Sequence, residues 1–153
     1  MKLTSEYLLE SLNPSPEHER LRNCLVNFAI RLGCSIKCNK LSDDKFPDVL
    51  RITPNRRYLF LGDAKVSENE TARREETVEK IKGYIKEFVE ISSRKGIRGK
   101  IAIATDNIDA AYDWSNKLTI LTTIAGLRGF FGELPEFVVL KIDNNTFIVQ
   151  SSN

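Results

Sequence analysis

The stretch Tyr58-Leu59-Phe60-Leu61-Gly62-Asp63-Ala64-Lys65-Val66 is the strongest indication of the fold of this chain. It opens with an unbroken run of large apolar residues, a pattern typical of a central strand that is buried on both faces. Because side chains alternate along a strand, Asp63 and Lys65 are expected to share one face. The stretch therefore predicts a buried strand that carries an acid and a lysine near its C-terminal end.

A second predicted strand, Phe46–Ile52, precedes this one and begins with Pro47-Asp48. The segment Pro54–Arg57 between the two strands has the composition of a turn, so the strands are expected to pair as a hairpin. In that arrangement Asp48 approaches Asp63. Two carboxylates at one end of a sheet form a hard oxygen site suited to Mg²⁺. A neighbouring lysine can orient a water molecule or stabilise charge on a phosphate.

The rest of the chain predicts helices around a mixed sheet, an α/β fold. A long charged helix over 70–95 is expected to cross over between parallel strands. Before the two central strands, the chain predicts a short helix over 1–13, a helix over Pro16–Leu32 capped by Ser15 and ended by Gly33, and a strand over Cys34–Asn39. After the long helix, it predicts a strand over Lys100–Asp106 and a helix that is capped by Asp109 and runs to about Ala125. A glycine-rich loop over 126–135, which contains Phe130 and Phe131, then leads to a hairpin of Phe137–Ile142 with Thr146–Gln150.

Composition narrows the classes of protein and of chemistry. The chain has 153 residues, 41% hydrophobic and 29% charged, which suits one domain over 1–153. No apolar run approaches the roughly 20 residues that cross a bilayer, and the first six residues lack a signal core, so we expect a cytoplasmic protein without a membrane partner. Three cysteines and one histidine disfavour zinc and Ser-His-Asp chemistry, which leaves carboxylates, lysine and a hard metal. A net charge of +2 neither requires nor excludes nucleic acid.

Pro47-Asp48, followed fifteen positions later by Asp63-Ala64-Lys65, resembles the motif of the PD-(D/E)xK nuclease superfamily, which includes restriction endonucleases and Holliday junction resolvases. The resemblance covers a core of about 16–106, with the order helix, three strands, helix, strand. It implies a restriction endonuclease-like fold and hydrolysis of phosphodiester bonds by a DNA endonuclease that depends on Mg²⁺, with Mn²⁺ as a substitute. A second Asp-x-Lys, at 43–45, lies in a polar loop and is interpreted as a solvated charge cluster.

The resemblance also implies roles for individual residues. Asp48 and Asp63 would bind the metal, and Lys65 would position the attacking water. A glutamate from the first helix often joins the site: Glu17 is preferred because it lies four residues before Leu21, and Glu19 is the alternative. The glutamine that many members carry on the following helix is missing here, and that helix offers Lys80, Lys82, Tyr84 and Lys86 instead.

Basic residues suggest how nucleic acid would be held. Arg56 and Arg57, on the predicted turn and expected near the proposed site, and Arg73 and Arg74, at the start of the long helix, are the candidate phosphate contacts. A further basic cluster precedes the fourth strand. Two alternatives stay open beside a nuclease. The chain could be a catalytically weak subunit or a DNA-binding module that needs a partner protein, or it could bind a small molecule. Cutting both strands of a duplex would favour a homodimer or a larger partner.

Overall fold

A computed structural model describes residues 15–42, 44–67, 74–126 and 135–152, without the side chain of Arg74. The predicted helix over 1–13, the residues Phe130 and Phe131, and Arg73 lie outside the described residues. Within them the elements are α1 (Pro16–Arg31), β1 (Ile36–Lys37), β2 (Val49–Ile52), β3 (Tyr58–Lys65), α2 (Arg74–Lys95), β4 (Arg98–Thr105), α3 (Ile108–Ile124), β5 (Phe137–Asp143) and β6 (Thr146–Ser151). None of the helices in these segments is long and apolar enough to cross a membrane.

The six described strands form one mixed sheet in the order β1-β2-β3-β4-β6-β5. β2 and β3 pair antiparallel as the predicted hairpin, and β3 and β4 pair parallel across the predicted helical crossover. β6 runs antiparallel to β4 and to β5. Because β3 lies between two other strands, it is buried from Leu59 to Ala64, as its apolar run indicates, and half-buried at its two ends. The α/β class, the central strand, the crossover and the C-terminal hairpin are therefore confirmed.

Helices cover both faces of the sheet. Leu21, Leu25 and Ala29 of α1 pack against one face, together with Phe60 and Ala102. The other face packs against α2 and α3. Apolar residues line that second core, among them Leu59, Leu61, Ile81, Tyr84, Ile85, Phe88, Trp114 and Leu118. The result is a three-layer arrangement in which α1 and α2 both approach the central strands β3 and β4.

Ser15 caps α1 as predicted, since its hydroxyl oxygen accepts a hydrogen bond from the His18 N–H at 3.1 Å. Gly33 follows the helix with a positive φ of 89°, a conformation that few residues other than glycine adopt. The N-cap predicted for α3 is wrong. Asn107 caps that helix by accepting from the backbone N–H groups of Asp109 and Ala110, and Asp109 lies in the first turn.

Several strand limits also differ from the prediction. The predicted strand over 34–39 has only two paired residues, because the Cys34 and Ser35 carbonyls accept from the Arg51 guanidinium instead of from a neighbouring strand. The second strand begins at Val49, so Asp48 lies just outside the ladder. The fourth begins two residues earlier than predicted, because Gly99 pairs beside Leu59.

Candidate active site

The hairpin of β2 and β3 brings Asp48 and Asp63 together at one end of the sheet. Val49 pairs with Gly62, so the residues next along each strand are Asp48 and Asp63. The Asp48 N–H donates to Asp63 Oδ1 at 3.0 Å, and the Ala64 N–H donates to Asp48 Oδ2 at 2.8 Å. Each carboxylate thus accepts a backbone N–H from the opposite chain segment. These two bonds continue the β2–β3 pairing after the regular ladder ends and hold both acids in place.

Asp63 is fully buried and forms an ion pair with Lys65, whose Nζ lies 2.5 Å from Asp63 Oδ2. The Lys65 ammonium group therefore lies directly against this buried carboxylate oxygen. The side chain of Lys65 is 13% exposed. The predicted Asp-x-Lys pair therefore shares one face of β3, next to the sheet end, in a largely dry environment.

The two carboxyl groups titrate very differently. Burial and the neighbouring negative charge of Asp48 raise the pKa of Asp63 to about 6, against the attraction of Lys65. Burial alone would raise the pKa of Asp48, but hydrogen bonds from His18, from the Asp63 carboxyl group and from the Ala64 N–H hold it well below its ordinary value. Near neutral pH the site therefore carries one firmly ionised acid and one acid whose charge is disfavoured.

His18 contacts this pair and was missed by the sequence reasoning. Its Nε2 lies 3.2 Å from Asp48 Oδ2, and its Nδ1 is buried without a hydrogen-bond partner in the described residues. The hydrogen bond to Asp48 raises the pKa of His18, although burial acts in the opposite direction. The signal was available: His18 lies three residues before Leu21 and seven before Leu25, in phase with the buried stripe of α1.

Helix α2 closes the site from the other face of the sheet. The Tyr84 hydroxyl donates to the Phe46 carbonyl at 3.1 Å and so fixes the segment that leads into Asp48. Burial and the charges of Asp63 and Asp48 raise the pKa of Tyr84. One turn earlier, Lys80 lies over the Tyr84 ring, with Nζ 5.7 Å from the ring centroid. Lys80 and Tyr84 thus occupy the part of the helix that faces the acids.

The structure does not bring the predicted glutamates to the two acids. Glu17 pairs with the Arg20 guanidinium, which also donates to the Asn145 carbonyl at 2.8 Å. Glu19 pairs with Arg22 in the same way, at 3.3 Å. Both glutamates lie in the first turn of α1, but that turn presents His18 to Asp48. Within the described ranges no group of three or more His, Cys, Asp or Glu side chains is arranged to hold a metal ion.

The predicted placement of Arg56 and Arg57 near the site is wrong. They lie on the β2–β3 turn, where β3 begins, whereas Asp63 lies near the end of β3. Six residues of extended chain separate Arg57 from Asp63, a distance of about 20 Å at 3.3 Å per residue. Arg74 begins α2 at the same end of the sheet as the acids, and nothing of its side chain is described.

Comparisons with protein-family models, with curated proteins and with solved structures give no match to this chain.

Proposed function

We propose that this protein is a metal-dependent nuclease with a restriction endonuclease-like fold, which hydrolyses phosphodiester bonds of DNA as an endonuclease. One observation carries the proposal: Asp48, directly before β2, meets Asp63 and Lys65 of the neighbouring strand β3 at one end of the sheet, with Asp63 fully buried. A buried acid with a raised pKa beside a second acid and a lysine is typical of a functional site.

The residues fit a divalent cation of the Mg²⁺ type. Magnesium in phosphoryl-transfer sites is bound by one or two carboxylates and completes its shell with water and substrate phosphates. Asp48 and Asp63 supply the two carboxylates, and Lys65 places its ammonium group beside Asp63 Oδ2. The mutual repulsion of the two acids is the interaction that a bound cation would relieve. Mn²⁺ is expected to substitute for Mg²⁺.

When bound, the metal would supply polarisation of the scissile phosphate and a bound water of lowered pKa. The residues of the chain would hold the two acids in position and balance their negative charge. Lys65 places a positive charge beside Asp63, where it stabilises negative charge on an attacking water or on the phosphate. His18 holds Asp48 from the opposite side, and Tyr84 fixes the segment before it. Lys80 adds a second positive charge on the α2 side, since its charge lowers the pKa of Asp63.

A specific observation favours a second candidate function, a catalytically weak subunit or DNA-binding module. The carboxylates of Asp48 and Asp63 accept backbone N–H groups that the ladder leaves unpaired, which is a structural role in itself. Under this reading the acids close the sheet end, and cutting is supplied by a partner protein. For the nuclease, cutting both strands of a duplex would require a homodimer or a larger assembly.

The test compares wild-type protein with Asp63→Asn and with Asp44→Asn. Asp44 is the middle residue of the second Asp-x-Lys, is exposed and pairs with Lys45, so its substitution removes a carboxylate beside a lysine in a segment without the strand context. Plasmid, linear and branched DNA and an RNA of matched sequence are incubated with each protein in Mg²⁺, Mn²⁺ or EDTA. Calorimetric titration with Mg²⁺ gives an independent measure of the site.

Metal-dependent cutting that is lost in Asp63→Asn and kept in Asp44→Asn is the expected result. Cutting by all three proteins would indicate a contaminating nuclease and would remove the support for this site. If wild type binds Mg²⁺ but cuts nothing, the subunit reading replaces the nuclease. If it neither binds Mg²⁺ nor cuts, the acids are structural.

A further inference from the structure

The end of the sheet opposite the acids carries a concentration of positive charge. Three segments meet there: β1, the β2–β3 turn, and the junction from α2 into β4. The ranges 34–38, 51–58 and 92–99 contain no Asp or Glu. We call the six exposed basic residues of these ranges the basic end: Lys37, Arg56, Arg57, Arg94, Lys95 and Arg98.

Contacts between the segments show that these residues form one surface. The Arg98 N–H donates to the Arg57 carbonyl at 3.2 Å, which joins the start of β4 to the turn. Lys37 pairs in register with Arg51, a half-buried arginine beneath the surface. Burial raises the pKa of the Cys38 thiol, whereas the charges of Arg56, Arg51 and Lys95 act to lower it, so all three lie near that one thiol.

Five of the six residues of the basic end form no ion pair with an acidic side chain within the described residues. The ion pairs found there involve none of Lys37, Arg56, Arg57, Arg94 and Lys95. Among the described acids, Glu90 lies one turn before Arg94 on α2, and Glu136 directly precedes β5, two strands away from β4. The dipole of α2 accounts for basic residues in its last turn, but not for those on β1, the turn and β4.

We propose that the basic end binds the phosphate backbone of duplex DNA at a site remote from the acids. Four of its six residues are arginines, whose planar guanidinium groups match phosphate oxygens in pairs. The residues lie on a turn, a strand start and a helix end, not along an amphipathic helix of the kind that binds membrane surfaces. Arg57 lies about 20 Å from Asp63 along β3. That distance corresponds to about 6 base pairs at 3.4 Å each, so the substrate must be long enough to bridge both sites.

The test measures binding of a fluorescent duplex by anisotropy in EDTA, over a range of salt concentrations. Arg57→Gln/Lys95→Gln removes two charges from the basic end, and Lys86→Gln/Lys141→Gln removes two charges from exposed positions on α2 and β5. Loss of two phosphate contacts is expected to weaken binding roughly tenfold near 0.1 M salt and to make the salt slope shallower by about 2. The control double variant is expected to bind within about twofold of wild type.

Substrate length supplies a second arm of the test. Hairpin DNAs with stems of about 4 and about 12 base pairs differ in whether they reach from the acids to the basic end. Wild type is expected to bind the longer stem more tightly, whereas Arg57→Gln/Lys95→Gln should distinguish the two stems much less.

The choice of DNA as substrate rests on the proposed function, but binding in EDTA does not depend on cutting. Wild-type protein that binds DNA but never cuts it would overturn the proposed nuclease activity and would still support DNA binding by the basic end. If the two double variants weaken DNA binding equally, or if the salt slope of wild-type binding is shallower than about 2, the proposal that the basic end binds DNA is overturned. Binding to phosphatidylserine vesicles without binding to DNA would assign the surface to membranes and would also overturn the proposal.

Discussion

Replacing Asp63 with asparagine should stabilise the protein near neutral pH while removing its proposed function. Asp63 is fully buried, and its charged form is disfavoured by burial and by the charge of Asp48. Asparagine has nearly the same shape and keeps the oxygen that accepts the Asp48 N–H. The substitution therefore removes the unfavourable charge without removing the backbone hydrogen bond.

The magnitude follows from the raised pKa. The folded-state pKa of about 6 lies above the ordinary value of 3.8, so the native state binds more protons between about pH 4 and pH 6. Wild-type stability therefore falls as the pH rises through that window. A difference of about two pH units corresponds to about 3 kcal/mol above pH 6. This pKa already includes the attraction of Lys65, so loss of the ion pair does not reverse the sign. For a chain of this length the expected gain in Tm is roughly 6–12 °C.

The assay is thermal and urea unfolding in EDTA, at pH values from 4 to 8, for wild type, Asp63→Asn and Glu90→Gln. Glu90 is exposed on α2, so its neutralisation should change the free energy of unfolding by less than about 0.5 kcal/mol. The advantage of Asp63→Asn should be greatest at pH 7–8 and should vanish near pH 4. A variant that is less stable than wild type at pH 8, or a difference that does not depend on pH, would refute the reasoning.

Two further predictions concern other parts of the structure. His18 is the one histidine of the chain, so its NMR resonance can be followed without overlap from another histidine. The pKa of His18 should exceed the ordinary 6.5 in wild type and should fall in Asp48→Asn. The stability that protonated His18 contributes should be present below pH 6.5 and should be lost as the pH rises through the folded-state pKa. An unchanged titration in Asp48→Asn would contradict the contact. Gly99→Ala should lower the free energy of unfolding by about 1–3 kcal/mol, because a Cβ would overlap the Leu59 carbonyl oxygen and come within 2.5 Å of Phe88 Cζ. A urea midpoint equal to that of wild type would contradict this.

Local patterns predicted most of the architecture because each had one dominant physical cause. The apolar run of β3 requires burial on both faces, and the cap at Ser15 with Gly33 delimits α1. The predictions were wrong where a side chain takes a hydrogen bond that a neighbouring strand was expected to make, or where an adjacent residue takes the capping position. Arg51 takes the carbonyls that would have lengthened β1, and Asn107 caps α3 before Asp109. Neither competition is visible in periodicity alone.

The candidate site was predictable only as far as strand alternation and hairpin pairing reach. These two rules place Asp48, Asp63 and Lys65 together without further information. Which helix residue joins them depends on the rotation of α1 to within one residue. Glu17 and His18 differ by about 100° around the helix axis, and the buried residues Leu21, Leu25 and Ala29 select His18. The predicted placement of Arg57 near the acids was wrong for a different reason: a hairpin places its turn far from the open ends of its strands.

The contacts and the raised pKa of Asp63 bear on the structural and the functional role of the acid pair. The structural role of Asp63 is to accept the Asp48 N–H, and an asparagine amide would do this without charge. The charge itself costs about 3 kcal/mol near neutral pH, because burial and Asp48 both oppose it. Closing the sheet end therefore accounts for an acceptor at this position, and the ion pair with Lys65 accounts for part of the preference for an acid. Under the proposed function, a ligand that binds only the ionised pair would offset the rest of this cost, and a divalent cation beside a phosphate would have the charge and the oxygen preference that such a ligand needs.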